Sequence, residues 1–184
     1  MENLDDLIEG CKAGERKAQS DLYRIFSPKL FGVCLRYSRD GTEAEDTLHE
    51  GFVKIFDKIS QYTGRGSFEG WMKRIVVNIA LEKYRTRYRL QTVDDITIYD
   101  SQSTVDDVFE TLNVAQLMEL VQALPPRYKM VFNMYAIDGY NHKEIADIMG
   151  ISEGTSKSNL SRARKILQDK VLEMGYSINS YAKQ

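Results

Sequence analysis

A reaction centre needs nucleophiles, acids, bases or metal ligands that the chain can bring together, and this sequence offers few. Its two histidines, His49 and His142, lie far apart, and its two cysteines, Cys11 and Cys34, form neither a CxxC pair nor a Cys/His cluster. There is no Ser/His/Asp arrangement, no P-loop, no carboxylate pair with a plausible cleft and no metal-ligand spacing, so no catalytic residue, metal or cofactor is expected. The cysteines read as reduced, half-buried thiols in helices, a redox switch being the alternative. What the sequence does concentrate is the chemistry of nucleic-acid binding: cations that neutralise phosphate, rings that stack on bases, and amides and hydroxyls that reach base edges.

That chemistry sits in two places. Residues 64–89 carry seven basic and two acidic groups, and 126–170 carry eight and five, whereas 90–125 hold seven acidic groups and no basic one. In the first basic block, Arg74, Asn78, Arg85 and Tyr88 recur at helical intervals on a face separate from the apolar stripe. Tyr62, Phe68 and Trp71 stand at a loop before it as stacking platforms for unpaired bases, and the Asn78 amide can donate and accept toward an extruded base. The competing reading makes Phe68 and Trp71 core and the arginines a solvated face.

In the second block, YNHKEIADIMGISEGTSKSNLSRARKIL parses as two helices around a turn. Asn141 caps a short helix with Ile145, Ala146 and Ile148 inward, Gly150 supplies the positive φ of the turn, Ile151 plugs the core, and Ser152 caps the second helix. Such a helix-turn-helix lays its second helix in a major groove. Lys157, Ser158, Ser161 and Arg162 are the candidates for base edges, Thr155 and Arg164 for phosphates, and Leu160, Ala163 and Leu167 for the buried side. His142 reads as a surface or cap residue.

The elements that position these residues are helical. Leu48, Phe52, Val53, Phe56 and Ile59 make one stripe over Glu43 to Ile59, and Trp71, Met72, Ile75, Val76, Ile79 and Ala80 another, with glycines 64 and 66 breaking the chain between them. Val108 to Leu124 is helix-like, Pro125-Pro126 punctuates, and Arg127 to Ile137 resumes with Met130, Val131, Met134 and Tyr135 apolar. Between the blocks, Gln91 to Asp107 lacks periodicity and reads as an acidic linker of 17 residues, able to span about 55 Å if extended; only Ile96-Thr97-Ile98-Tyr99 hints at a strand. No run approaches the roughly 18 to 20 apolar residues of a membrane span, and the acidic start lacks a signal peptide's basic region. Membrane insertion is therefore not expected, and a cytoplasmic location is.

AEDTLHEGFVKIFDKI, GRGSFEGWMKRIVVNIALEKYR and LPPRYKMVFNMYAIDGYNHKEIADIMGISEGTSKSNLSRARKIL, in that order, resemble the extracytoplasmic-function (ECF) sigma factors of the sigma-70 family. The resemblance implies an all-α protein of two small helical domains: region 2 over 1–90, the acidic linker over 91–107, region 4 with its helix-turn-helix over 108–175, and a tail over 176–184. It implies a non-catalytic subunit that binds core RNA polymerase and directs it to promoters. Asp46, His49 and Glu50 would meet the clamp helices of the largest subunit, and the flap of the second-largest subunit is a further contact. Tyr62 through Phe68 would hold a flipped -10 base, with Trp71 shaping the pocket, Asn78 on the base and Arg74 and Arg85 on phosphates. Thr155, Lys157, Ser158, Ser161, Arg162 and Arg164 would serve the duplex -35 element. An anti-sigma factor is a partner the family allows, one that could hold the protein at the inner membrane, and the linker aspartates could occupy basic polymerase channels or this chain's own basic faces.

The sequence departs from the family pattern at His49, where glutamine is common, at Ser156, where many members are apolar, at Asn159, where many are basic, and in the loop residues Thr63, Arg65 and Gly66. A helix-turn-helix regulator acting without polymerase is the competing function; it leaves the first basic block without a purpose.

Overall fold

The computed structural model describes residues 3–88 and 114–174, and the chain divides into two compact units, Met1–Leu90 and Gln91–Gln184. Every regular element among the described residues is helical. The expected linker with its aspartates, the hint of a strand at 96–99, the first turns of the helix expected from Val108 and the tail over 176–184 lie outside the described residues.

The first unit holds α1 (Leu4–Lys12), α2 (Arg16–Tyr37), α3 (Gly41–Lys58), a 3-10 turn over Ile59–Gln61, and α4 (Phe68–Tyr88). Helices α2, α3 and α4 pack on one another, and α1 lies on α2. Leu22, Leu30, Ile55, Met72, Val76 and Leu81 are fully buried between them. On α3 the stripe differs from expectation at Phe56, which is only partly buried, and at Val53. Val53 is 71% exposed and Ile55 takes the core position, because Ile55 stands three residues after Phe52, on its face, while Val53 stands one residue and so about 100° away. On α4 the buried arc is wider than the expected stripe: Val77, Leu81 and Tyr84 are buried as well, while Trp71 and Ile75 are only partly so. A helix that faces two neighbours needs apolar residues on both sides.

Helices α3 and α4 meet at Gly51, where a Cβ would stand 2.5 Å from Val76 Cγ1. Both cysteines are fully buried rather than half-buried, Cys11 at 3% and Cys34 at 1% exposure. Burial pushes the Cys34 thiol up to about 12, which keeps it protonated and inert at neutral pH.

The second unit holds α5 (Val114–Gln122), α6 (Pro126–Phe132), a π turn over Asn133–Ile137, α7 (His142–Met149) and α8 (Glu153–Glu173). Pro126 opens α6 at a position whose N–H needs no helical partner. The helix expected to run unbroken to Ile137 widens at Asn133, and Tyr135, expected in the core, is 37% exposed. Asn141 caps α7 in a full capping box with Glu144. Gly150 takes φ +66° at the turn, and Ser152 caps α8 by accepting the Thr155 N–H at 3.0 Å. Ile145, Ala146 and Met149 are buried, while Ile148 and Ile151, expected to point inward, are half-buried.

Candidate nucleic-acid interface

In the first unit the loop before α4 closes into an aromatic cluster. Gly64 and Gly66 take φ of +77° and +80°, the left-handed region that glycine enters without strain, and the Tyr62 hydroxyl donates to the Gly66 carbonyl at 2.9 Å. Ser67 accepts the Gly70 N–H at 3.1 Å and starts the helix. Phe68 stacks under Trp71 with centroids 5.5 Å apart and meets Tyr62 edge-on at 5.0 Å, while Tyr62 and Trp71 stand 5.6 Å apart.

Phe68 itself is 3% exposed. It is a floor rather than the base platform expected from the sequence, because the first residue of α4 points at Phe26 of α2, 6.0 Å away edge-on. Tyr62 and Trp71 stay partly open above it. Glu69 anchors the corner by accepting from Lys29 of α2 at 2.9 Å and from Lys73 at 2.8 Å, and those ammonium groups hold its carboxyl below the usual range.

Trp71, Arg74, Asn78 and Arg85 fall within about 60° of one another around α4 at 100° per residue, and Arg74, Asn78 and Arg85 are exposed. One face thus presents a ring, an amide and two guanidinium groups in line. The opposite face of α4 meets α3 through a polar ladder that the sequence did not reveal. Arg87 pairs with Glu43, and Lys83 donates to Thr47 Oγ1 at 3.2 Å and pairs with Glu50 at 2.9 Å. Burial raises the Glu43 carboxyl, but hydrogen bonds from Arg87 and Arg39 outweigh it and hold the group below its usual range. Asp46, His49 and Glu50 are all exposed on the outer side of α3, so Glu50 alone of the three is tied to α4. A spacing of three and four residues on each helix permits such a ladder, yet nothing in the sequence says which two helices will face each other.

In the second unit α8 carries the expected candidates on two flanks. Its buried side is Ser156, Asn159, Leu160, Ala163, Leu167 and Val171; Ser156 and Asn159 therefore lie in the interior, away from the candidates expected to reach DNA. Lys157, Ser161 and Arg164 fall on one flank by helical angle, and Thr155, Ser158 and Arg162 on the other. Several of them are already engaged. The Thr155 hydroxyl bonds Ser152 Oγ at 2.9 Å, Ser158 Oγ donates to the Thr155 carbonyl at 3.0 Å, and Arg162 donates to the Tyr128 hydroxyl of α6 at 3.2 Å. Lys157 is exposed.

His142, expected as a surface or cap residue, is instead a tie between elements. Its Nδ1 bonds Ser156 Oγ at 2.9 Å, and its ring stacks on Tyr135 at 4.5 Å. The Arg164 guanidinium lies 5.9 Å from the same Tyr135 ring. No group of histidine, cysteine and acidic residues suited to a metal occurs among the described residues, and none of the described helices is long and apolar enough to cross a membrane.

Two family models match the chain: Sigma-70 region 2 over residues 22–90 and Sigma-70, region 4 over residues 115–167. Each falls within one of the two units, and together they take in well over half of the sequence. The RNA polymerase sigma-H factor of Pseudomonas aeruginosa is 25% identical over 185 residues, which cover 94% of this chain and 95% of that protein. The ECF RNA polymerase sigma factor SigW of Bacillus subtilis is 27% identical over 180 residues, or 91% and 96%. In fold, the chain is similar to the sigma factor RpoE in its co-crystal with the anti-sigma factor NepR from Bartonella quintana, with a TM-score of 0.50 and 21% identity over 84% of this chain and 96% of that one.

Proposed function

The chain belongs to the sigma-70 family, among the relatives of its ECF members, and from that premise we propose that it docks on core RNA polymerase and carries it to promoter DNA. In this reading residues 1–90 act as region 2, 91–107 as an acidic tether, and 108–175 as region 4. The exposed side of α3, with Asp46, His49 and Glu50, takes the clamp helices of the largest subunit. The second unit anchors the duplex -35 element through α8, where Lys157 and Ser161 stand outward for base edges and Arg164 for phosphate. Thr155, Ser158 and Arg162 supply the other flank after exchanging internal hydrogen bonds for DNA.

The step that distinguishes initiation from ordinary duplex binding is capture of the opened -10 strand, and the α4 face supports it. A base leaving its stack loses stacking free energy; Trp71 and Tyr62, held open over the Phe68 floor, return part of it, while Asn78 offers a donor and an acceptor to the base edge. Arg74 and Arg85 neutralise the phosphates on either side. Polymerase performs the chemistry, and this chain supplies position and charge. The anti-sigma complex of the RpoE relative makes a similar regulator an expected partner here.

The single observation that carries the reading is the Trp71, Arg74, Asn78 and Arg85 line above a pre-formed aromatic floor. The test is retention of a single-stranded -10 segment by holoenzyme assembled with Trp71→Ala or Asn78→Ala. Base–ring stacking of about 1–3 kcal/mol predicts a loss of roughly fivefold to a hundredfold for Trp71→Ala, with core binding unchanged. Strand capture at wild-type strength in both variants would refute the assignment of that face.

A further inference from the structure

One part of the second unit is built more elaborately than a structural helix pair requires. His142 opens α7, and its ring is fixed from two sides, by Tyr135 of the π turn and by Ser156 from within α8. With Nδ1 committed to Ser156, Nε2 is the ring's remaining polar atom, and the residue is only partly covered. The flank of α8 that it adjoins carries Lys157 and Arg164, seven residues apart and so on nearly the same side of the helix. Neither has an ion-pair partner among the described residues, and Arg164 leans on the Tyr135 ring that also holds His142.

Of the charged and titratable groups on the packed elements, Lys157, Arg164 and Glu153 of α8 act on the ring; the others are Tyr135 and Asp138 on or beside the π turn, Arg162, Lys165, Asp169, Lys170 and Glu173 elsewhere on α8, and Lys143, Glu144 and Asp147 on α7 itself. Glu144 is committed to the capping box. Burial first, and then the charges of Lys157 and Arg164, lower the His142 pKa against a smaller upward pull from Glu153. In the free protein burial and these two cations thus disfavour protonation of the ring, and neither cation has an ion-pair partner among the described residues.

We propose that His142 and Arg164 form a binding site for a backbone phosphate of duplex DNA, with Lys157 beside them toward the base edges, and that His142 takes up a proton as the phosphate arrives. This rests on the promoter-binding reading given above. The phosphate reverses the electrostatics of the site. In place of two neighbouring cations opposing protonation, the imidazole meets an anion that favours it, and imidazolium Nε2–H donates a charge-assisted hydrogen bond while the Ser156 contact keeps the ring aimed. Binding and protonation are then linked, so that the -35 anchor tightens as pH falls through the neutral range.

The experiment uses holoenzyme reconstituted from core polymerase and the full chain, with His49 unchanged in every variant so that the comparison isolates His142. Its affinity for a duplex promoter fragment that it transcribes is measured at fixed salt between pH 6 and 8. Binding roughly fivefold to tenfold tighter at the acid end is expected, with most of that dependence absent in His142→Asn. His142→Tyr keeps a ring to stack on Tyr135 but cannot titrate in this range, and it serves where the Asn variant fails to fold at the upper pH. A folded variant of either kind that retains the full pH dependence overturns the proposal. Failure of the holoenzyme to form, or to transcribe any fragment, would instead defeat the sigma reading beneath it.

Discussion

Phe68 and Trp71 stand three residues apart in one aromatic cluster, yet one is floor and the other is face. Phe68 is spent against Phe26 inside the first unit, while Trp71 keeps part of its ring open. The same division separates Ser156 and Asn159, turned inward on α8, from Lys157, turned outward. Residue type could not make these distinctions, because a ring or a hydroxyl suits either environment and the deciding quantity is helical angle against a neighbour. Two single-residue predictions follow from burial. The Cys34 thiol, pushed up to about 12, should resist alkylation by iodoacetamide in the native protein at pH 8 and react within minutes in denaturant; rapid native labelling would contradict its burial. His142 has its folded pKa lowered from 6.5, so the unfolded state binds the proton more readily. The contribution of His142 to the stability of the second unit is then fully present above that value and is lost as pH drops through 6.5 and below. Thermal unfolding of the free protein at pH 5.5 and 7.5, beside His142→Tyr, should show a larger acid loss in the wild type; equal losses would contradict the assignment.

At the scale of elements, Gly51 governs how closely α3 and α4 approach. A methyl group there would stand 2.5 Å from Cγ1 of the buried Val76, so one of the two must shift. Gly51→Ala should therefore cost about 1–3 kcal/mol in chemical denaturation through overpacking, although alanine is the better helix former. A neutral or stabilising effect would show that the two helices can part without penalty. The amphipathic stripes of α3 and α4 and both caps of the helix-turn-helix were legible in the sequence, since periodicity, Asn141, Gly150 and Ser152 act locally. The width of the α4 stripe, the ladder of Glu43, Thr47 and Glu50 with Lys83 and Arg87, and the π turn at Asn133–Ile137 were not. Each depends on which surface lies opposite, and no local pattern encodes that.

For the whole molecule, the charge distribution carries the argument. Two basic blocks, each on its own helical unit, are separated in the sequence by a stretch with seven acidic groups and no basic one, an arrangement with no use in a protein that binds a single short duplex site. It suits a factor whose two units engage two promoter elements, one paired and one opened, while a third surface on α3 engages polymerase. The order of the three blocks was readable from the start; which side chains lie on one exposed face and which are buried emerged only from the packing. The most direct test of the central claim is transcription in vitro from genomic fragments with core polymerase, with and without this protein. The account predicts discrete new start sites that depend on the added chain and are lost with Trp71→Ala. A core enzyme whose initiation pattern the protein leaves unchanged, paired with tight specific duplex binding by the chain alone, would contradict it.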